Sequence, residues 1–273
     1  MRTLYSEVVR LCAKNGGGIV THLCKSGIHT WDDLTKANLA DFRDHLLESV
    51  AHSSAHTYVA QLSAVIARYE DELTLPKDWR SIMRIKNEIP VKTYLTRKEI
   101  EKFAAVTPKN AKERYVQACF LVSCWTGMRV SDAKCVTEEN ITGGYLRYTA
   151  IKTGIEAVVP AKPGLWDLIR IVQEYPKEMG HDGYNNWLRK MCLRAGITEK
   201  VKVVKAGKHL TLPKWQCVSS HTGRVSFASC LNEAGAGLVE IATLMGHRET
   251  STTLRYICKS SVNLSPRALQ FFQ

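Results

Sequence analysis

Two arginines, each with a polar partner three residues away, stand with one lysine, one further histidine and a tyrosine within residues 93–273 of this 273-residue chain. Arg129 precedes Asp132 by three in Thr126-Gly127-Met128-Arg129-Val130-Ser131-Asp132, so on a helix they share a face and the carboxylate can hold the guanidinium fork in place. His221 and Arg224 repeat the spacing in Ser220-His221-Thr222-Gly223-Arg224, at an expected helix start where backbone N–H groups favour an anion. Gly246-His247 closes the next expected helix, and Tyr256 follows nine residues later. Lys152 lies in Lys152-Thr153-Gly154. Taken singly, each has an ordinary reading as a surface ion pair, a solvated lysine or a packed tyrosine. As a set, the types suit an oxyanion bound by forked cations, with imidazoles able to move a proton.

The elements that must position these residues are legible in the spacing. Apolar faces at Leu4, Val8 and Leu11, at Leu39, Phe42 and Leu46, and at Tyr58, Leu62, Val65, Ile66 and Tyr69 predict helices across residues 1–75. Ser54 is the expected N-cap of the third, and Gly16-Gly17-Gly18 an expected hinge. Pro76 and Pro90 bracket Lys77, Arg80, Arg84 and Lys86, which reads as an extended basic linker over 76–92. Beyond it, Thr96 and Glu99 form a capping box before Ile100 and Phe103. The 14 residues between Arg114 and Arg129 carry no charge, too few to span a bilayer, so they predict a buried helix. Residues 145–160 alternate as a hairpin turning near Gly154, residues 200–214 read as a loop or small ribbon, and helices are expected near 165–174, 184–195, 221–234, 238–245 and 251–258. The fold class is therefore mainly α with a small β-hairpin or sheet, an α+β protein.

Composition narrows the partners. The chain carries 38 Lys and Arg against 26 Asp and Glu, a net charge of +12. Residues 1–92 hold only +1 of that excess, so the second part should meet a polyanion most closely. Nine cysteines without a C-x-x-C pair read as reduced thiols of a cytoplasmic protein and argue against a zinc site. The N-terminus has Glu7 and Arg10 where a signal peptide needs its apolar region, so no secretion or membrane partner is expected. Phosphate-loop, H-E-x-x-H and G-x-S-x-G motifs do not occur.

In order, Arg129, Lys152, His221, Arg224, His247 and Tyr256 resemble the catalytic residues of the tyrosine recombinase family, which includes phage-type integrases and Xer-like recombinases. The flanking T-G-M-R-V-S-D, L-M-G-H and T-T-L-R-Y agree with it. The resemblance is strong over 93–260 and looser over 1–75. Two positions depart from the family pattern: Gly223, where leucine or alanine is common, and Val225, where histidine is common.

The resemblance implies a helical, SAM-like core-binding domain over 1–75, a basic linker over 76–92, and a catalytic domain over 93–273 ending in a docking tail. It also implies a site-specific recombinase that cleaves and rejoins double-stranded DNA through a 3′-phosphotyrosine, most naturally an integrase of a phage or mobile element. Arg129 and Arg224 would stabilise the transition state and Lys152 would act as general acid. His221 would be base or proton shuttle, His247 would hydrogen-bond the phosphate, and Tyr256 would be the nucleophile. Asp132 would support Arg129, and Lys77, Arg80, Arg84 and Lys86 would touch the DNA backbone. No cofactor or metal is implied. The expected partners are DNA, a dimer to tetramer on DNA formed through the C-terminal tail, and accessory DNA-bending proteins. The alternatives are a catalytically inactive DNA-binding regulator of the same ancestry and a type IB topoisomerase-like enzyme.

Overall fold

The computed structural model describes residues 2–12, 15–86, 92–175, 179–205 and 208–257. Two compact units divide the chain, one of residues 1–90 with 204–209, the other of 91–203 and 210–273.

The first unit is helical, as the apolar faces require. Thr3 accepts a hydrogen bond from the Ser6 amide and starts α1 (Leu4–Leu11). Then come α2 (Gly16–Lys25), α3 (Lys36–Ser49, capped by Thr35), α4 (His52–Arg68) and the single turn α5 (Trp79–Ile82). Leu4, Val8, Ile19, Phe42, Leu46, Leu62 and Ile66 form the core.

Three local expectations give way here. The glycine run is no hinge but the first turn of α2, and a Cβ on Gly16 would lie 2.6 Å from Val9 Cα, so glycine permits α1 and α2 to close. The fourth helix starts at His52 behind Ala51, upstream of Ser54. The expected extended linker is folded over most of its described length, because Trp79, Met83 and Ile85 bury their side chains in this core. Residues 87–91 lie outside the described residues.

Glu7 is the buried charge of this unit. Its carboxylate accepts from Arg10 at 2.5 Å and from the Tyr69 hydroxyl at 2.8 Å. Those hydrogen bonds, Arg10's the larger, pull its pKa from 4.5 to about 2. A depressed carboxylate stabilises the fold above its unfolded pKa and loses that contribution as pH falls through the folded value. Acid titration of wild type and Glu7→Gln should therefore show the wild-type advantage fading between pH 4.5 and about 2. Parallel melting curves across that window would contradict the ion pair.

The second unit is built around one helix. The Thr96–Glu99 capping box opens α6 (Arg97–Ala104), as expected. Asn110 Oδ1 accepts from the Glu113 amide and opens α7 (Ala111–Thr126), whose Val116, Cys119, Phe120 and Val122 are buried. The short α8 (Val130–Ala133) follows. Strands β1 (Ile141–Thr142), β2 (Tyr145–Thr149) and β3 (Glu156–Pro160) make an antiparallel sheet in which Leu146 pairs with Val159 and Tyr148 with Ala157. Helices α9 (Leu165–Glu174) and α10 (His181–Arg194) pack on α7. Strands β4 (Lys200–Lys205) and β5 (Lys208–Pro213) form the ribbon, of which residues 204–209 count with the first unit, and α11 (Lys214–Cys217) leads to α12 (Thr222–Glu233), α13 (Leu238–Leu244) and α14 (Thr250–Leu254). Among the described residues no helix is long and apolar enough to cross a membrane.

Candidate active site

The end of α7 sets the first arginine. Gly127 terminates the helix at φ 67°, and a Cβ there would stand 2.6 Å from the Phe227 ring, so both the backbone sign and the space require glycine. The chain then reverses through Met128 and places Arg129 at the N-cap of α8. Its Nη1 lies 3.8 Å from Oδ2 of Asp132, whose side chain is 1% exposed. The other carboxylate oxygen accepts from the Ile151 amide at 3.2 Å. Asp132 therefore ties the arginine to the β2–β3 turn. That turn is closed by Ala150 N to Ile155 O at 2.9 Å and by Gly154 at φ 64°, and it carries Lys152.

Helix α12 supplies the second arginine, the largest fully buried side chain among the described residues. Arg224 donates from Nη1 to the Gly127 carbonyl and from Nη2 to Met245 O at 3.4 Å and His247 Nε2 at 3.2 Å. A guanidinium only donates, so His247 Nε2 accepts, and its Nδ1–H donates to Thr253 Oγ1 at 3.0 Å. Desolvation, then Arg224, lowers the His247 pKa to about 4, in keeping with a neutral ring.

Why α12 approaches α7 so closely explains one departure from the family pattern. A Cβ on Gly223 would sit 2.8 Å from both Cβ and Oγ of Ser123. Gly223→Ala should destabilise the chain by about 1–3 kcal/mol through overpacking. Urea unfolding of Gly223→Ala, Ser123→Gly and the double variant checks this: a cycle with no coupling would show that the two positions do not meet. Val225, the other departure, is simply core, at 2% exposure.

Tyr256 completes the cluster from the turn after α14, where its amide donates to Thr253 O at 2.8 Å. Its ring lies 5.0 Å from that of His221 and 5.1 Å from that of His247. Arg224 Cζ stands 5.5 Å and Lys92 Nζ 4.7 Å from the ring centroid. His221, at the N-cap of α12, has its pKa pushed down to about 4 by desolvation first, then by Lys92, Arg224, Arg129 and Lys152. It is thus a neutral base among cations. An open cavity of about 370 Å³ is lined by Arg129, Ser131, His181, Ser220, His221 and Arg224.

The structure brings Arg129, Asp132, His221, Arg224, His247 and Tyr256 together, with Lys152 on the turn anchored to Asp132. Lys77, Arg80, Arg84 and Lys86 belong to the first unit and are all exposed, but Arg80 is held by both oxygens of Glu70 and covers Trp79 at 4.6 Å. Sequence reasoning missed Lys92, beside the Tyr256 ring, and Thr253, whose hydroxyl accepts from His247 Nδ1–H at 3.0 Å. It also missed Tyr148, whose buried hydroxyl, like Arg224 Nε, makes no direct hydrogen bond by distance and angle among the described residues. Tyr148 lies in the electrostatic reach of Arg224, and burial raises its pKa. No short-range signal marks these three.

A helical unit in which two arginines, two histidines and a tyrosine are grouped together, with Arg129, His221 and Arg224 on one cavity, is the arrangement expected of the tyrosine recombinase class. The chain belongs to the phage integrase family, whose profile matches residues 93–261. It is 31% identical over 135 residues to the tyrosine recombinase XerC of Pelobacter propionicus, a match covering 48% of this chain and 43% of that one. The fold is shared with a lambda integrase dimer bound to a core site (TM-score 0.65, 16% identity, covering 97% of this chain and 98% of that chain). It is likewise shared with the Tn1549 transposon integrase in complex with a circular intermediate DNA (TM-score 0.67, 14% identity, 99% and 98%).

Proposed function

We propose that this chain is a site-specific recombinase that cleaves and rejoins double-stranded DNA through a 3′-phosphotyrosine, acting in the cytoplasm as the integrase of a phage or mobile element. The carrying observation is the packing of Tyr256 against His221 and His247 beside Arg224. In the forward step Tyr256 Oη attacks phosphorus and the 5′-oxygen leaves. The phenolic proton passes to His221, which is neutral with a pKa of about 4. A bound phosphate would raise that value, because it offsets the surrounding cations.

Lys152 delivers a proton to the leaving oxygen. The two guanidinium groups neutralise the charge gathering on the non-bridging oxygens. Arg224 Nη2, held by His247 in the free chain, turns to the phosphate. A tautomer change at His247, with Thr253 then donating to Nδ1, lets Nε2–H bind the same phosphate. The covalent bond conserves the energy of the phosphodiester, so a 5′-hydroxyl of a second duplex reverses the step without a nucleotide cofactor.

The surplus of positive charge in residues 93–273 supports a polyanionic partner, as do the DNA complexes of the structural relatives. Lys77, Arg84 and Lys86 are the exposed cations of the first unit proposed to touch backbone. Arg80 joins them only by leaving Glu70. We take the recombining species as a dimer to tetramer on DNA, joined by the C-terminal tail and helped by accessory DNA-bending proteins. That tail lies outside the described residues.

An SDS gel of the chain with supercoiled DNA carrying its own flanking sequence, in EDTA, tests the reading: a covalent adduct is expected. Retarded migration on a native gel without any adduct would favour a DNA-binding regulator instead. Lys152 has its own test. Lys152→Ala should cleave a normal phosphodiester slowly, by about 100-fold or more, as for a lost general acid. It should approach wild type on a substrate with a 5′-bridging sulfur, which leaves without a proton. Equal loss on both substrates would remove Lys152 from that role.

A further inference from the structure

Helix α10 contributes none of the six motif residues, yet it reaches the loop that presents His221. Asn185 is 7% exposed, and its Oδ1 accepts from the Ser220 amide at 2.8 Å. Its Nδ2 lies 3.0 Å from His181 Nδ1, and His181 Nε2 lies 3.1 Å from Ser220 Oγ. The proton positions follow by elimination. A backbone amide only donates, so Oδ1 must face Ser220. Nδ2, also only a donor, then faces His181, whose Nδ1 must accept. His181 is therefore the neutral Nε2–H tautomer, and it donates to the Ser220 hydroxyl. Asn185 and His181 together hold Ser220 at both its amide and its side chain, one residue before His221.

The rest of the loop shows why this matters. Ser219 N donates to Thr222 Oγ1 at 3.0 Å, which shapes the first turn of α12 from within. Asn185 and His181 tie Ser220 to α10, and Arg189 of the same helix donates from Nε to Val218 O at 3.1 Å at the start of the loop. The His221 ring in turn lies 5.0 Å from that of Tyr256, tilted 51° to it. His181 and Ser220 also line the cavity shared by Arg129, His221 and Arg224.

We infer that Asn185, with His181 locked by it in the Nε2–H form, is a positioning residue for His221: it fixes the imidazole against the nucleophile. The inference rests on the recombinase reading only for its kinetic consequence.

Three variants of the full chain separate hydrogen bonding from space-filling. Asn185→Leu keeps the volume and removes the acceptor. Asn185→Asp keeps the acceptor for Ser220 N and changes only the atom facing His181, which answers by moving its proton to Nδ1 while the Ser220 hydroxyl donates to Nε2. His181→Ala removes the outer link alone.

Single-turnover cleavage, DNA affinity and nitrogen-15 NMR of the imidazole rings are read for each. Asn185→Leu should slow cleavage by about tenfold or more, since a misplacement of about 1 Å can cost about 100-fold, while DNA affinity holds. Asn185→Asp should restore most of the rate and show the opposite His181 tautomer.

Wild-type cleavage by Asn185→Leu would overturn the inference, as would a wild-type His181 that is not in the Nε2–H form. If wild type itself fails to cleave, the recombinase reading falls. The NMR arm still decides this one: His221 signals unmoved in Asn185→Leu would refute the positioning.

Discussion

Tyr256→Phe should abolish covalent adduct formation and leave DNA affinity within a few fold of wild type. The substitution removes one oxygen and keeps the ring. The ring makes the contacts seen here, at 5.0 Å to His221 and 5.1 Å to His247, while the backbone is held separately by Thr253 O and Ser229 Oγ. The hydroxyl's electrostatic partner is Arg224, which keeps its bonds to Gly127 O, Met245 O and His247 Nε2 without it, and phenylalanine offers no nucleophile. Because no second route to the phosphotyrosine exists on this reading, the loss should be complete to the limit of an SDS gel. An adduct persisting in Tyr256→Phe would transfer the nucleophile elsewhere.

The second large effect is at Arg224. Arg224→Lys should lower the single-turnover cleavage rate by about 100- to 1000-fold, the range found when one preorganised donor to a developing oxyanion is removed. Charge is kept, so affinity for DNA should move little. What goes is the fork. Arg224 spans Gly127 O, Met245 O and His247 Nε2 at once, which an ammonium on a straight stem cannot do at the same positions. Thermal melting separates catalysis from folding. Stranding buried acceptors costs about 1–3 kcal/mol each, so a modest loss of stability is expected beside the large kinetic one. Cleavage within tenfold of wild type would mean that Arg224 serves the fold and not the phosphate.

How much of this was legible beforehand depended on the range of the interaction. The Thr96–Glu99 box, the hairpin around Gly154 and the uncharged helix before Arg129 are local, and the structure has them where the sequence put them. The segment after Pro76 misled because its prolines and cations are adjacent in sequence, whereas its buried residues, Trp79, Met83 and Ile85, follow no run long enough to register as a helix. The glycine run misled for a related reason: close packing against Val9 is a tertiary fact.

In the candidate site, six residues could be proposed in advance because the family motif orders them along the chain. Asn185, Lys92, Thr253 and Tyr148 were not, since each acts on a residue brought to it by folding. Asp132 lay between these cases. Its pairing with Arg129 was readable from spacing, but its bond to the Ile151 amide was not.

That last bond bears on the direction of the reaction. On the recombinase reading, one carboxylate anchors both the arginine proposed to meet the phosphate and the turn that carries the proposed leaving-group acid. Forward and reverse transfer must pass through the same transition state, so both draw on this single anchor. A defect at Asp132 would slow breakage and resealing alike and shift no equilibrium. If the proposed function holds, the protein's own chemistry is indifferent to which product accumulates. Commitment to joined or separated DNA would then be imposed from outside the active centre, by the arrangement of duplexes and chains around it.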